Sequence, residues 1–200
     1  MIVTVASTKG GVGKTTLAVG LAEALAVDGA AVVLLDLDAQ AEGSSDDWAE
    51  LAGDDLVVTV ATATAVEMTR ALPKIAADHI VIDTPPADPS ATAAAIEAAD
   101  LVLVASGPRS ADVRSAVRVL HVAADTNTPV AVTLTMTRSG VAAADATRQA
   151  LTDLGWAVTE ATIPMRERIH QSFGNGLTPA VLAPFAALAV EITATYTKEP

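Results

Sequence analysis

The residues best suited to bind and process a ligand form one short run near the N-terminus, Lys9-Gly10-Gly11-Val12-Gly13-Lys14-Thr15-Thr16. Apolar residues precede this run and alanine-rich residues follow it, so it is expected to connect a strand to a helix. Its glycines let backbone N–H groups turn toward phosphate oxygens, and the helix N-terminus adds partial positive charge. Lys14 is then expected to reach the β- and γ-phosphates, Thr15 to ligate Mg²⁺ and Thr16 to contact the α-phosphate. The run therefore predicts a loop that binds the phosphates of a nucleotide.

The second lysine of this run, Lys9, departs from the common phosphate-loop pattern. That pattern has glycine five residues before the Gly-Lys pair, whereas this chain has Thr8 at that position and Lys9 directly after it. A cation close to the start of a helix is disfavoured by the helix dipole. Lys9 is therefore expected to meet negative charge supplied by a ligand.

Three aspartates follow apolar stretches that are typical of buried strands. Asp36 and Asp38 close one such stretch, and the alternation of side chains along a strand places both on the same face. Carboxylates at the carboxyl edge of a parallel sheet lie beside the loop after the first strand, where they can hold the water ligands of Mg²⁺ and orient an attacking water. Asp83 ends another apolar stretch, which is typical of a strand whose aspartate holds Mg²⁺ through water.

Short β-branched runs alternate with alanine-rich ones along the whole chain, which is typical of parallel βαβ units. The predicted strands are Ile2–Ala6, Ala31–Asp36, Leu56–Val60, His79–Asp83, Leu101–Ala105, Val130–Met136 and, more weakly, Trp156–Thr162. The predicted helices cover 15–28, 64–77, 90–99, 111–125 and 141–154, with two more near the C-terminus, the last from about Pro184 to Thr197. We expect one α/β domain over residues 1–200, with a doubly wound, mostly parallel sheet and helices on both faces.

Composition and charge exclude several classes of protein. The chain has 12 basic and 24 acidic residues, a net charge of −12, which argues against coating nucleic acid or anionic membrane by bulk charge. The absence of cysteine excludes disulfides, thiolate metal sites and cysteine-held iron–sulfur clusters. The N-terminus has no basic leader and the last apolar helix lacks flanking basic residues, so we expect a cytoplasmic protein without a membrane partner.

The run from Lys9 to Thr16 resembles the deviant Walker A motif of the ParA/MinD family of ATPases, and the resemblance extends to the Ile163-Pro164 segment. It implies a P-loop NTPase fold, ATP and Mg²⁺ as cofactors, and a homodimer in the ATP state. In that dimer Lys9 reaches the phosphates of the ATP held by the facing subunit. Asp38 positions the hydrolytic water, and Asp36 lies nearer the metal. The family pattern is Asp-x-Asp-Pro-Gln, and Ala39 replaces its proline here.

The resemblance also implies contacts to the nucleotide base. Family members place a polar residue and an arginine at the end of the sixth strand, which makes Thr137 and Arg138 the candidates. The segment Ile163–Arg166 is similar to the Ile-Pro-x-Arg segment that lies near the base and the dimer interface, which adds Pro164 to the expected site. The chain most resembles short ParA-like partition ATPases, which implies nonspecific DNA binding and nucleoid association in the ATP state. A ParB-like or other cargo adaptor then stimulates hydrolysis.

Basic residues of the C-terminal half allow two interpretations. Residues 1–100 carry 16 acidic and 4 basic residues, whereas residues 101–200 carry 8 of each. The arginines of the neutral half either form an ordinary solvated surface or a shallow patch that binds DNA phosphates. The arginines considered for such a patch are Arg114, Arg118, Arg148, Arg166 and Arg168.

Three other functions on the same fold are alternatives. A MinD-like membrane ATPase is disfavoured by the missing basic amphipathic tail. An ATP-dependent amidation enzyme of the cobyrinate-synthase type is disfavoured by Lys9, since a lysine that acts on a facing subunit belongs to switch dimers. An iron–sulfur reductase of the nitrogenase iron-protein type is excluded by the absence of cysteine.

Overall fold

The computed structural model describes residues 1–38, 42–138 and 142–196, which form a seven-stranded sheet with α-helices around it. The strands are β1 (Ile2–Ala6), β2 (Val32–Asp36), β3 (Thr59–Thr62), β4 (His79–Asp83), β5 (Leu101–Ser106), β6 (Val130–Thr137) and β7 (Ile163–Pro164). The helices are α1 (Lys14–Ala26), α2 (Ser45–Ala52), α3 (Ala65–Ala71), α4 (Pro89–Glu97), α5 (Ser110–Asp125), α6 (Ala143–Asp153), α7 (Glu167–His170) and α8 (Pro179–Tyr196).

The sheet places the first strand at its centre. The strand order is β3-β2-β4-β1-β5-β6-β7, and every paired strand is parallel to its neighbour. The loop after β1 therefore leaves the sheet at the edge where β2, β4 and β5 also end. This topology confirms the predicted doubly wound parallel sheet, and it brings Asp36 and Asp83 opposite each other in neighbouring strands.

Alternating side chains cover both faces of the sheet with helices. In β5, Leu101 and Leu103 pack in a core that contains residues of α1 and α8, whereas Val102 and Val104 pack in a second core with α5. Strands that are apolar on both faces are expected for a parallel sheet enclosed between two helix layers. Because only 2% of the residues are aromatic, the core consists mainly of alanine, valine, leucine and isoleucine.

Close packing is most evident where α1 crosses α8. A Cβ on Gly20 would fall inside contact distance of the ring of Phe185, a buried residue of α8. Only a residue without a side chain allows the ring to lie against the helix backbone at this point. α8 is long and apolar enough to cross a membrane by length and composition, with a mean hydropathy of 1.4, but its apolar face packs on α1. Only 28% of this stretch is buried in the fold, and length and composition alone are weak evidence for a membrane span.

The third strand begins and ends later than its apolar pattern predicts, so the predicted bounds Leu56–Val60 were wrong. β3 covers Thr59–Thr62 because the residues before it are held by a side chain of α1. The buried Glu23 carboxylate accepts the backbone N–H groups of Val57, at 2.9 Å, and Val58, at 3.2 Å. These N–H groups are consequently engaged before the strand starts.

The weak seventh strand predicted over Trp156–Thr162 is also wrong, because β7 is confined to Ile163–Pro164. Side chains satisfy much of the backbone before it. The Arg148 guanidinium donates to the carbonyls of residues 158, 159 and 160, and the Glu191 carboxylate accepts the N–H groups of residues 160 and 161. Only one isolated bridge, from Val132 to Val158, joins this segment to the described part of the sheet.

The predicted helices agree with the structure more closely than the predicted strands, and three differences stand out. The helix predicted over 64–77 ends at Ala71, and a 3₁₀ turn containing Pro73 follows it, since proline cannot donate to the helix. α8 begins at Pro179, earlier than predicted, and tolerates Pro184 near its start. α2 was not predicted at all. The residues Ala39, 141 and Thr197, at which sequence predictions were made, lie outside the described residues.

Replacing Gly20 with alanine should destabilise the protein, although alanine is the better helix former. The new methyl group forces the buried Phe185 ring to move, and overpacking of this kind costs about 1–3 kcal/mol. Urea unfolding followed by circular dichroism measures the change. A Gly20→Ala/Phe185→Leu double variant should recover part of the loss, and a Gly20→Ala variant more stable than the parent would contradict this packing.

Replacing Glu23 with glutamine should change how stability depends on pH. Burial raises the pKa of Glu23 above its ordinary value, and this effect outweighs the two backbone N–H groups that lower it. An acid whose folded pKa is raised stabilises the fold below its unfolded pKa, and that contribution is lost as pH rises through the folded pKa. Glutamine keeps the accepting oxygen without the charge, so the variant should gain stability relative to the parent between about pH 4 and about pH 7.

Urea unfolding of both proteins at the two pH values tests this difference. The exposed Glu97, exchanged for glutamine, serves as the control and should show no such pH-dependent gain. A relative loss of stability for the Glu23→Gln variant at the higher pH would contradict the role of burial.

Candidate functional site

The predicted phosphate loop lies between β1 and α1 and turns through left-handed backbone at Gly11 (φ 73°) and Gly13 (φ 83°). The side chain of Val12 is buried in the core, and the Val12 carbonyl accepts a hydrogen bond from the Thr135 hydroxyl at 2.7 Å. The middle of the loop is therefore fixed to the core and to β6. Among the described residues no side chain caps the N-terminus of α1, and its first turn has no acidic residue. The partial positive charge of this helix end is therefore available to phosphate.

Lys14 and Asp83 form a buried ion pair at the base of the loop. Lys14 Nζ lies 3.2 Å from Asp83 Oδ1, and the two side chains are 7% and 1% exposed. Asp83 Oδ2 accepts a hydrogen bond from the Ser45 hydroxyl at 2.9 Å, and Thr15 adds a further side-chain hydrogen bond. Burial is the main effect on the pKa of Asp83 and raises it, while Lys14 and the two hydroxyls oppose the rise. The pair thus connects the phosphate loop, β4 and α2.

Asp36 is buried beside this pair and organises the backbone. Its Oδ1 accepts the N–H of Asp38 at 2.7 Å, and its Oδ2 accepts the N–H of Asp46 at 2.9 Å. Both carboxylate oxygens therefore shape the segment after β2 and the start of α2. The expectation that Asp36 lies near the metal stays a prediction, while the observed contacts make it a positioning group for Asp38.

The phosphate loop and Asp38 line one cavity of about 320 Å³. Burial raises the pKa of Asp38; Lys14 lowers it, and the like charges of Asp36 and Asp83 raise it further. The cavity also includes backbone and side chains from the segment before α2. Its lining residues are Lys9, Gly10, Gly11, Gly13, Lys14, Thr15, Thr16, Asp38, Glu42, Gly43, Ser44 and Pro86. The sequence-predicted catalytic residues therefore share one site.

The donors around this cavity suit Mg²⁺ together with phosphate oxygens. Within the described residues no three His, Asp or Glu side chains are grouped to hold a metal ion on their own. Hydroxyl and carboxylate oxygens of Thr15, Asp38 and Asp83 are hard ligands, and Mg²⁺ commonly retains several waters beside one or two protein groups and substrate phosphates. The arrangement fits an ion that Thr15 contacts and the carboxylates hold through water.

Lys9 lies on the outer part of the loop and pairs with a residue of α5. Its Nζ is 2.5 Å from Asp112 Oδ1, and Asp112 Oδ2 accepts a hydrogen bond from Arg109 Nε at 2.9 Å. About a third of the Lys9 side chain is exposed, at 36%, whereas that of Asp112 is fully buried. The negative charge that sequence reasoning expected beside Lys9 is thus present in the chain itself.

The expected base-contacting residues meet at the end of β6. Thr137 pairs with Pro164 of β7, and Arg138 follows it, so that all three line a second cavity of about 510 Å³. Met136 has a positive φ of 53°, and the β6–β7 register shifts between Thr135 and Thr137. Such irregularities reorient the side chains next to functional sites. Because Thr135 also binds the phosphate loop, this cavity and the loop lie along the same end of β6.

The five arginines considered for DNA lie on different elements. Arg114 and Arg118 are exposed on α5, and Arg166 lines the cavity beside Thr137. Arg168 lines a separate cavity near α7. The guanidinium of Arg148 is engaged by three backbone carbonyls, which leaves it few donors for phosphate.

Three residues of the site were missed by sequence reasoning. Ser45 bonds Asp83, Thr135 anchors the phosphate loop, and Asp112 pairs with Lys9. The start of α2 does leave a signal in the sequence, because a serine followed three residues later by an acidic residue is typical of a helix N-terminus. In the structure the Ser44 hydroxyl accepts the N–H of Asp47. Asp112 has no local signal, because its partner is 103 residues away.

Comparisons with known proteins agree with this architecture. A family model of the CobQ/CobB/MinD/ParA nucleotide binding domain matches residues 3–180. A maintenance of carboxysome distribution protein A from Gloeobacter kilaueensis is 38% identical over 122 residues, which is 60% of this chain. The match spans about half the length of that relative, 55%.

Solved structures show the same fold at low identity. MinD cell division protein from Aquifex aeolicus superposes with a TM-score of 0.78 at 19% identity, covering 100% of this chain and 99% of that one. Cobyrinic acid a,c-diamide synthase from Mycobacterium smegmatis, with a bound ATP analogue and magnesium, has a TM-score of 0.76 at 21% identity and covers 100% and 98%. From the family match over residues 3–180, this chain belongs to the CobQ/CobB/MinD/ParA nucleotide-binding domain family.

Proposed function

We propose that this protein is an ATP-hydrolysing positioning switch of the ParA type. It binds ATP and Mg²⁺, dimerises with ATP between the subunits, and in that state binds nonspecific DNA on the nucleoid within the cytoplasm. A ParB-like or other cargo adaptor protein stimulates hydrolysis and releases the dimer. The similarity to the carboxysome distribution protein supports a role in positioning cargo.

The observation that carries this proposal is the different setting of two lysines in one loop. Lys14 is buried against Asp83 and supplies the internal cation of the phosphate site. Lys9 lines the same cavity, yet its side chain is 36% exposed and is held by a contact outside the loop. A second cation in the same cavity, partly exposed and not paired with Asp83, is suited to the phosphates of a facing subunit.

The residues of the cavity support phosphoryl transfer to water by positioning and charge. Lys14 and the N-terminus of α1 neutralise the phosphates, and Asp38 orients the attacking water. Asp36 keeps Asp38 in place through the backbone N–H that it accepts. Mg²⁺, when bound, adds charge stabilisation at the β- and γ-phosphates.

An amidation reaction on a carboxylic acid is less well supported. A cavity of about 600 Å³ next to Asp38 offers space for a second substrate. Three carboxylates, those of Asp38, Glu67 and Asp88, line it, and they would repel an acidic substrate. The charge of this cavity therefore favours the switch over the synthase.

DNA binding is proposed for the exposed arginines of the C-terminal half. Arg114 and Arg118 on α5 are the first candidates, followed by Arg166 and Arg168, while Arg148 is the weakest because its donors are engaged. Because each subunit offers few phosphate contacts, binding should be weak and should depend on salt. The dimer doubles the number of contacts and should therefore bind more tightly than one subunit.

Exchanging Lys14 for glutamine should weaken ATP binding by about 10- to 100-fold, since hydrogen bonds to a charged group contribute about 1.5–3 kcal/mol. Titration with a fluorescent ATP analogue measures the affinity. Lys74, which is exposed in a 3₁₀ turn, provides the matched Lys→Gln control and should leave the affinity unchanged. Thermal unfolding checks that the variant is folded, and unchanged ATP affinity in a folded Lys14→Gln protein would contradict the site.

DNA binding should depend on the nucleotide. Gel-shift measurements at low salt with ATP, ADP or neither are expected to show binding with ATP alone. Lys9→Ala should lose this binding because the dimer does not form, and Asp38→Ala should keep it while losing phosphate release. The measured affinity should fall as salt rises.

Anionic vesicles in the same experiment separate the MinD-like alternative. ATP-dependent binding to vesicles with no binding to DNA would favour that alternative. DNA binding that is indifferent to nucleotide, or absent under every condition, would contradict the proposed switch.

A further inference from the structure

The contact between Lys9 and Asp112 joins the phosphate loop to the first turn of α5. Asp112 is buried completely, and its two oxygens are divided between Lys9 and Arg109. Burial opposes ionisation of this carboxyl, but the hydrogen bonds from both cations outweigh it and keep its pKa below the ordinary value. The carboxylate is therefore charged at neutral pH and attracts both cations.

The surrounding backbone is shaped to hold this carboxylate against the loop. A Cβ on Gly107 would lie 2.5 Å from Asp112 Oδ2, so a larger residue there would displace the carboxylate. The Thr8 hydroxyl donates to the Ser115 carbonyl at 3.3 Å, which ties the loop to α5 one turn further along. The close approach at Gly107 and the tie between the loop and α5 thus keep the Asp112 carboxylate next to Lys9.

Lys9 cannot contact Asp112 and the phosphates of a facing subunit through the same ammonium group at full strength. When Lys9 crosses to the facing subunit, the buried Asp112 keeps only Arg109, whose side chain is 69% exposed. Losing one of two partners leaves a buried charge less well compensated, which is unfavourable. The intramolecular pair therefore competes with dimerisation.

We propose that Asp112 is a positioning residue that retains Lys9 within its own subunit and thereby sets the protein concentration at which the ATP-bound dimer forms. This inference rests on the role proposed above for Lys9. In this proposal Asp112 acts on dimerisation through its contact with Lys9.

Exchanging Asp112 for asparagine tests the proposal. Sedimentation over a range of protein concentrations with AMPPNP gives the midpoint of dimerisation, and the variant should dimerise at about tenfold lower concentration. The affinity of the monomer for the nucleotide, measured at low protein concentration, should stay within about twofold. In a Lys9→Ala background, which is expected not to form the dimer, the Asp112→Asn exchange should not restore dimerisation, because it acts only by releasing Lys9.

Two further variants sharpen the test. Asp125 lies exposed at the end of the same helix, and its exchange for asparagine should leave the midpoint unchanged. Arg109→Ala removes the competing cation, so Asp112 should hold Lys9 more strongly and the midpoint should rise. Because Arg109 is exposed, this variant keeps the test decisive if Asp112→Asn does not fold.

An unchanged or raised midpoint for folded Asp112→Asn, dimerisation of the Lys9→Ala/Asp112→Asn double variant, or an unchanged or lowered midpoint for Arg109→Ala would overturn the inference. If wild-type dimerisation depends on Lys9 while these variants fail, the proposed switch stands and the role of Asp112 alone is wrong. If the wild type does not dimerise with AMPPNP, or Lys9→Ala dimerises equally well, both are wrong.

Discussion

The ion pair between Lys14 and Asp83 is the interaction on which the rest of the site depends. Two charges buried at this depth are tolerated only when they compensate each other and when hydrogen bonds satisfy their remaining atoms. The central position of β1 beside β4 brings the pair together, and Ser45 completes it from α2. The phosphate loop, the end of β4 and the start of α2 are consequently held in one arrangement.

Much of this architecture could be predicted from the order of residue types. β1 and β4 were predicted with their observed bounds and α1 to within two residues, because short apolar, β-branched runs and an alanine-rich run are separated there by polar residues or glycine. The fold follows from alternating strands and helices, since parallel strands require crossovers. The site was predictable because parallel strands end at a shared edge, so Lys14, Asp38 and Asp83 meet wherever the strands are neighbours.

The two strand predictions that failed share a cause, which is a distant side chain that satisfies local backbone. Residues 57 and 58 have an apolar, β-branched pattern, yet Glu23 takes their N–H groups. Residues 158–161 are similarly held by Arg148 and Glu191. Asp36 likewise accepts the backbone N–H groups of Asp38 and Asp46, contacts that its place at the end of an apolar run does not reveal, while its expected position near the metal stays a prediction. Local patterns carry no information on such long-range partners, and this also explains why Asp112 was not foreseen beside Lys9.

The position of β1 in the middle of the sheet has a consequence for synthesis on the ribosome. The first strand to emerge pairs with β4 and β5, so Val3 awaits residues 81 and 101 as neighbours, and Lys14 awaits a carboxylate 69 positions later. Contacts between residues far apart in sequence form slowly in general, because the chain loses conformational entropy before those contacts stabilise the fold. A nascent chain that ends before residue 83 carries the complete phosphate motif without a structure to hold it. The motif is translated before β4 and β5, and the site that uses it can form only after both strands have been made.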